Sequence, residues 1–325
     1  GSFGSSDLAA EFYDREVFEG GTYADVIARG RRPFVILNAT DMSTGQRFPF
    51  IQDQFDLICS DLAAIPVARE AAASSAFPLG LTPLTFENHA GTCGYTQPAW
   101  VALAESDRAE HVNMPRIKRA DNRLSFTATG AARRDYVHLT DGGVSDNLGL
   151  RGPLTAIATS NHPWSILTRL NRGAIQKLVV IVVNSASDPS TDRDRSPGVP
   201  GLVDTLSTAA NVPIDTVTSD SIEQLRLSFD AFNQDARLVK DCKALAASLG
   251  PQCTLDLPTP DPVELYVIEV AFDFIADPTQ RHWFKNIPTN FGLPRETIDR
   301  LRETAGTLLR SDPQFVRLMA DLKQR

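Results

Sequence analysis

Hydrophobic runs in this chain are of two kinds, and their order predicts an α/β fold. The first kind is short, unbroken and rich in β-formers: FVILNATD from Phe34, DYVHLTD ending at Asp141, KLVVIVVN from Lys177 and VELYVIEVAFDF from Val263. Runs of this length between Gly, Pro and polar clusters are strands. KLVVIVVN is apolar without alternation, as in a central strand of a parallel sheet covered on both faces. A turn at Ser43-Thr44-Gly45 folds QRFPFIQ back on the first strand as a hairpin, and RLSFTATG reads as a further strand.

The second kind has apolar positions three and four apart. Asp7 to Phe18 reads as a short helix with Leu8, Phe12 and Tyr13 on one face, and Pro66 opens a helix of small residues through Ala73. Residues 202–248 and Pro278 to Lys285 are helical. The tail gives two more helices, with Ile298, Leu301, Ala305 and Leu308 inward on one and Phe315, Met319 and Leu322 on the other. Residues 79–122 are punctuated by Pro and Gly and read as an irregular excursion with one helix at WVALAESDRAEHV; it is a lid or binding wall, or a plain surface insertion. Alternating strands and helices predict one α/β domain over 1–325, with a largely parallel central sheet flanked by helices and helical segments at about 202–248 and 278–325.

Composition narrows the function classes. The 325 residues carry 32 Lys plus Arg against 40 Asp plus Glu, a formal charge of −8. That balance offers no basic face for nucleic acid and no strong attraction to an anionic membrane. The longest strongly apolar run, Leu178 to Val183, falls far short of a bilayer span. The chain opens GSFGSSD, where Gly1-Ser2 reads as a cloning scar and the remainder as a piece of something longer. None of Cys59, Cys93, Cys242 and Cys253 sits in a C-x-x-C pair or at zinc-finger spacing, so no structural metal is expected. Cys242 and Cys253 flank KALAASLGPQ, whose Gly250-Pro251 turns the chain back. Two readings stand: a disulfide, which would place the protein in an oxidising compartment, or two buried thiols in a reducing one.

The segment richest in chemistry is YVHLTDGGVSDNLGL, from Tyr136 to Leu150. An apolar strand delivers Asp141, and Gly142 and Gly143 let the backbone turn sharply around the carboxylate. Sites in parallel sheets gather at such strand ends. The plainer reading is a structural Asp-Gly turn. Asp146 and Asn147 are placed to hold the loop through side-chain-to-backbone bonds, and Ser145 is a poor nucleophile without an elbow motif or a nearby His.

DGGVSDNLG resembles the catalytic-Asp loop of patatin-like phospholipases, lipid acyl hydrolases with a Ser-Asp dyad. RPFVILNATDMSTGQRFPF and VAREAAASSAFP resemble that family's strand-hairpin segment and its following small-residue helix, in matching order and separation. The C-terminal IPTNFGLPRETIDRLRETAGTLL is similar to the end of a bacterial subgroup. The resemblance covers most of the chain and implies a three-layer patatin-like fold. It also implies a phospholipid or other lipid ester as substrate, peripheral membrane contact and no cofactor. Asp141 would be the catalytic base, with Gly142, Gly143 and Asn147 supporting its loop.

The family's G-x-S-x-G elbow and its glycine-rich oxyanion segment are missing. Both precede, in the family, the segment with which this chain begins, so the strand-elbow-helix unit with the nucleophile is expected to lie upstream. The alternative is a non-catalytic lipid-binding or interaction domain; a third reading puts the nucleophile on a separate chain. Subgroup resemblance and the cysteines lean toward an extracytoplasmic location, with a cytoplasmic one left open. His138 reads as a packed strand residue, Ser74 and Ser75 as a helix-end cap, and Asp41 as a turn former rather than a second catalytic carboxylate.

Overall fold

The structure, a computed structural model, describes residues 3–30, 33–78, 80–152, 154, 176–187, 192–195, 197–199, 201–250, 263–288 and 292–323; within 202–219 only residue 205 has its side chain described. The chain divides into two compact units: Gly1–Asn161 with Gly201–Ser221, and His162–Pro200 with Ile222–Arg325. The mixed α/β class holds in both.

The first unit is built on four strands, β1 (Asn38–Asp41), β2 (Arg47–Pro49), β3 (Leu84–Glu87) and β4 (Tyr136–Thr140), in the order β2-β1-β4-β3. Every neighbouring pair is antiparallel, which corrects the largely parallel central sheet expected from the alternation of elements. The cause is local at one edge, where β1 and β2 are joined by a tight turn that admits only antiparallel pairing. Asp41, fully buried, shapes that turn: its carboxylate accepts from the Ser43 N–H (3.1 Å) and the Thr44 hydroxyl (2.9 Å) and pairs with Arg134 (2.7 Å). The expected role of Asp41 as a turn former therefore stands. Strand β1 begins only at Asn38, so Phe34, Val35 and Ile36 lie exposed outside the sheet.

The core lies on one face of this sheet. Phe48, Phe50, Phe55, Phe86 and Phe126 interlock with ring centroids 5.6–6.1 Å apart, and Val137 and Leu139 of β4 are fully buried beside them. Each such ring contributes roughly 1.5–3 kcal/mol by burial alone. Helix Val67–Ser74 packs on β1 and β4 through Ala68, Ala72 and Ala73, whose small side chains let the backbones approach. RLSFTATG is not a strand. Helix Met114–Phe126 takes up its first four residues and ends at Phe126, capped by Asn113 with Pro115 in its first turn and burying Ile117, Ala120, Arg123 and Phe126. That spacing is helical, and Pro115 is suited to a first turn. Helix Ser5–Tyr13 turns Ser6, Ala10 and Tyr13 inward and leaves Leu8 and Phe12 exposed, contrary to the expected face.

In the second unit β5 (Lys177–Asn184) and β6 (Glu264–Ala271) pair in parallel over their whole length. They are the only parallel strands among the described residues. Strand β5 is covered less than its composition suggested, because Val179, Ile181 and Val183 are exposed. Helix Pro313–Lys323 packs Phe315, as expected, with Leu318 on Tyr266 and Ile268, while Met319 and Leu322, expected inward, face outward.

The disulfide joins Cys59 to Cys93, with Cα atoms 5.5 Å apart, and ties the turn after Asp56–Ile58 to the loop beyond β3. Cys242 is a free, exposed thiol, and Cys253, its expected partner, lies outside the described residues. Glu70 is the other unforeseen feature of the first unit. It is fully buried in helix Val67–Ser74 with neither carboxylate oxygen hydrogen-bonded among the described residues, and burial pushes its pKa up to about 9.

Two predictions arise here. Peptide mapping without reductant is expected to recover the Cys59 and Cys93 peptides linked; reduction should then lower unfolding stability by about 3–4 kcal/mol, the chain-entropy value for such a loop. Glu70 holds a proton in the folded chain that the unfolded chain, with its ordinary value of 4.5, releases. Stability should therefore fall as pH rises from about 4.5 toward 9, by up to about 1.4 kcal/mol per pH unit. Denaturant titrations of Glu70→Gln should show that slope removed.

Candidate active site at the end of β4

Strand β4 ends at Thr140, and the chain is then pinned on three sides. The Asp141 N–H donates to the Ala76 carbonyl (3.0 Å) and the Gly142 N–H to the Ser74 carbonyl (3.0 Å), so the end of helix Val67–Ser74 holds the turn. The Thr140 hydroxyl adds a second bond to Ala76 (2.7 Å). On the other side, the Thr40 hydroxyl of β1 donates to the Asp141 carbonyl (2.7 Å). A short helical turn, Gly143–Asp146, follows.

Space dictates Gly142, where the clash is with backbone, and at Gly143 it is side-chain ends that would have to move. A Cβ on Gly142 would lie 2.2 Å from the Asn38 carbonyl oxygen, and one on Gly143 would lie 2.9 Å from Asp141 Oδ1 and 2.8 Å from Asn147 Oδ1. Asp141 lies at the C-terminal end of its strand as expected, although the sheet around it is antiparallel.

The Asp141 carboxylate is half-buried. Its Oδ1 accepts the Gly143 N–H at 2.7 Å, and no described residue donates to Oδ2. Burial raises its pKa above the usual Asp value, and the Gly143 bond offsets part of that rise. One oxygen is thus fixed while the other is left to take a proton from a hydroxyl.

The side chains of Ser145 and Asp146 in the loop are committed. Because a carbonyl only accepts, the Thr40 proton goes to Asp141, and the Ser145 hydroxyl is left to donate to Thr40 Oγ1 (2.8 Å) or to the Gly142 carbonyl (3.4 Å). Ser145 is therefore a structural hydroxyl, as its sequence context suggested. Asp146 is buried and accepts the Arg151 N–H on both oxygens (3.1 Å each), with Arg47 Nε 3.9 Å away. Burial raises its pKa too, opposed by those N–H groups and the two guanidinium charges. Asn147, expected to brace the loop, is exposed and makes no such bond among the described residues.

Ser75 caps helix Val67–Ser74, its hydroxyl returning to the Ala71 carbonyl (3.0 Å). His138 is not packed. It stands exposed on the outer face of β4 with Nδ1 2.9 Å from the Thr85 hydroxyl. Thr40, Asn38 and Arg47 were missed by the sequence reading. Thr40 sits in the strand run FVILNATD, but nothing in one sequence marks it as the residue facing Asp141 across two strands.

No protein-family model matches the chain, and no curated protein or solved structure matches it either. Among the described residues, no group of His, Cys, Asp and Glu could hold a metal ion, and no helix is long and apolar enough to cross a membrane.

Substituting Gly142→Ala should destabilise the chain by at least about 2 kcal/mol, since the clash is with backbone and only a shift of β1 relieves it. Thr40→Val should cost about 1 kcal/mol by leaving the Asp141 carbonyl only its long bond from the Val144 N–H (3.4 Å). Urea unfolding of the two variants beside the parent chain checks both figures.

Proposed function

We propose that this chain is the Asp-bearing part of a patatin-like serine acyl hydrolase, acting on phospholipid or another lipid ester. Asp141 is the base of a Ser-Asp dyad. The observation that carries this reading is the Asp141 carboxylate itself, fixed through Oδ1 by the Gly143 N–H, raised in pKa by burial, and open at Oδ2. A structural Asp-Gly turn has no need of an unengaged, half-buried oxygen.

In the proposed reaction a serine hydroxyl supplied from outside the described residues attacks the ester carbonyl as Asp141 takes its proton. Backbone N–H groups stabilise the developing oxyanion. Asp141 then returns the proton to the leaving alcohol, and water hydrolyses the acyl-enzyme with Asp141 again as base. The exposed apolar residues Phe34, Val35 and Ile36, directly before β1, are where an added strand would gain burial, which favours a nucleophile unit upstream. The three-layer patatin fold is part of the same proposal. A disulfide between Cys59 and Cys93 favours an oxidising compartment, periplasmic or extracellular.

Hydrolysis of a short-chain p-nitrophenyl ester and of a phospholipid should be measured for this chain and for a version extended upstream. Activity is expected only in the extended form, and Asp141→Asn should abolish it. Because the base must be ionised and its pKa is raised, activity should fall on the acid side at a pH above the ordinary Asp value of 3.8. Undiminished turnover in Asp141→Asn sinks the assignment. Inactivity of both parent forms would instead favour a lipid-binding domain.

A further inference from the structure

Behind the Asp141 loop, the first unit contains a cavity of about 280 Å³ between helix Met114–Phe126 and β2. Its lining is strongly cationic. Arg47, Lys118, Arg119, Arg123 and Arg151 face it, and the acidic residue in the wall is Asp53. Asp53 is already engaged, receiving both terminal nitrogens of Arg123 at 2.6 and 3.2 Å. Asp146 behind the wall offsets only part of the Arg47 charge, at 3.9 Å.

Cations spaced like these repel one another. Arg119 and Arg123 are one helical turn apart on the same face, an arrangement that destabilises a helix when the charges are alike. The protonation of Arg119 is held below its ordinary strength by burial first, then by the charges of Arg123 and Arg47, with Asp53 opposing. A second observation points to the same class of ligand. Gln54 and Arg123 both line the cavity and are only 6% and 4% exposed, yet Gln54 Nε2 and Arg123 Nε have no hydrogen-bond partner among the described residues. Both orphaned atoms are donors, and an oxyanion is purely an acceptor toward them. Asn122 Oδ1, also in the wall and also without a partner, suits the single O–H of hydrogen phosphate.

We propose that this cavity is a binding site for a phosphate-class oxyanion, free or as a headgroup, distinct from the Asp141 carboxylate. The inference stands on the cavity alone and does not require the hydrolase reading. Guanidinium groups present paired donors to tetrahedral oxyanions, and Lys118 adds a mobile point charge at the exposed rim. The site touches the candidate active loop through Ser145, which lines the cavity and also bonds Thr40, the residue holding the Asp141 carbonyl. Occupancy should accordingly stiffen the loop as well as neutralise the cluster.

The test is titration calorimetry of the purified chain with inorganic phosphate at low ionic strength, with chloride as the control anion. Saturable binding with a rise in Tm is expected. Lys118→Glu, at an exposed position that folding does not depend on, and Arg119→Gln should each weaken binding by tenfold or more. Arg15→Gln, on an exposed helix far along the chain, should leave it unchanged. Co-sedimentation with phosphatidylcholine vesicles, with and without phosphatidate, separates the sources: pelleting that needs phosphatidate and is lost in Lys118→Glu assigns a headgroup, and phosphate binding without pelleting assigns a free phosphate. The proposal is overturned if phosphate and phosphatidate vesicles both fail to bind, or if Arg15→Gln weakens binding as much as the cavity variants do.

Discussion

The Asn38 carbonyl leaves no room for a side chain at residue 142, and the geometry of the first unit depends on that contact. It lets the end of β4 press against β1 while the Asp141 and Gly142 N–H groups reach the carbonyls of Ala76 and Ser74. Sheet, helix Val67–Ser74 and candidate loop are therefore closed on one another through backbone atoms. Side-chain substitutions at the surface would not loosen such a junction, but a single Cβ at its centre would. The half-buried setting of Asp141 is a consequence: the turn that satisfies its backbone also draws its carboxylate partly out of water.

The aromatic cluster supplies the complementary force. Phe48 and Phe50 come from the β2 side, Phe86 from β3, Phe55 and Phe126 from flanking helices, so the rings join elements far apart in sequence. Edge-to-face packing makes the cluster directional, which fixes how the strands and helices meet. The cost accepted within this core is Glu70, a carboxyl with no partner among the described residues, which remains tolerable only as the neutral acid.

Much of this was legible in the sequence, and the failures have physical causes. Strands β4, β5 and β6 announced themselves because runs such as YVHLT, KLVVIVVN and ELYVIEVA leave few alternatives to a strand. The site residue Asp141 and its glycines followed from the strand-Asp-Gly-Gly order. Sheet polarity was misread from the order of strands and helices, although YVHLT alternates, with Val137 and Leu139 buried and Tyr136 and His138 exposed, as in an antiparallel strand covered on one face. The strand misread at RLSFTATG came from weighing β-formers over the helical period of Ile117, Ala120 and Phe126. Cysteine pairing was illegible for a different reason. The Gly250-Pro251 turn suggested Cys242 with Cys253, which lies outside the described residues, while no local signal marked that β3 returns the chain so that Cys59 meets Cys93 across 34 residues. Exposed Leu8 and Phe12, and the outward His138, show the same limit: period gives a face, but only tertiary packing says which face is inward.

The two carboxylates of the loop separate structure from chemistry. Asp141 and Asp146 stand five residues apart and burial raises both, yet their compensation differs. Asp146 accepts the Arg151 N–H on both oxygens and has the charges of Arg47 and Arg151 nearby, which oppose its desolvation and use its lone pairs. Asp141 has one N–H on one oxygen and no cation opposing its desolvation. Asp141 thus keeps one oxygen open to a proton among the described residues, whereas both oxygens of Asp146 are already used. That asymmetry is what a base needs if it must accept a proton in one step and return it in the next. Arg47 enforces it by standing on the Asp146 side of the loop, which also makes it the physical link between the loop and the cationic cavity behind it.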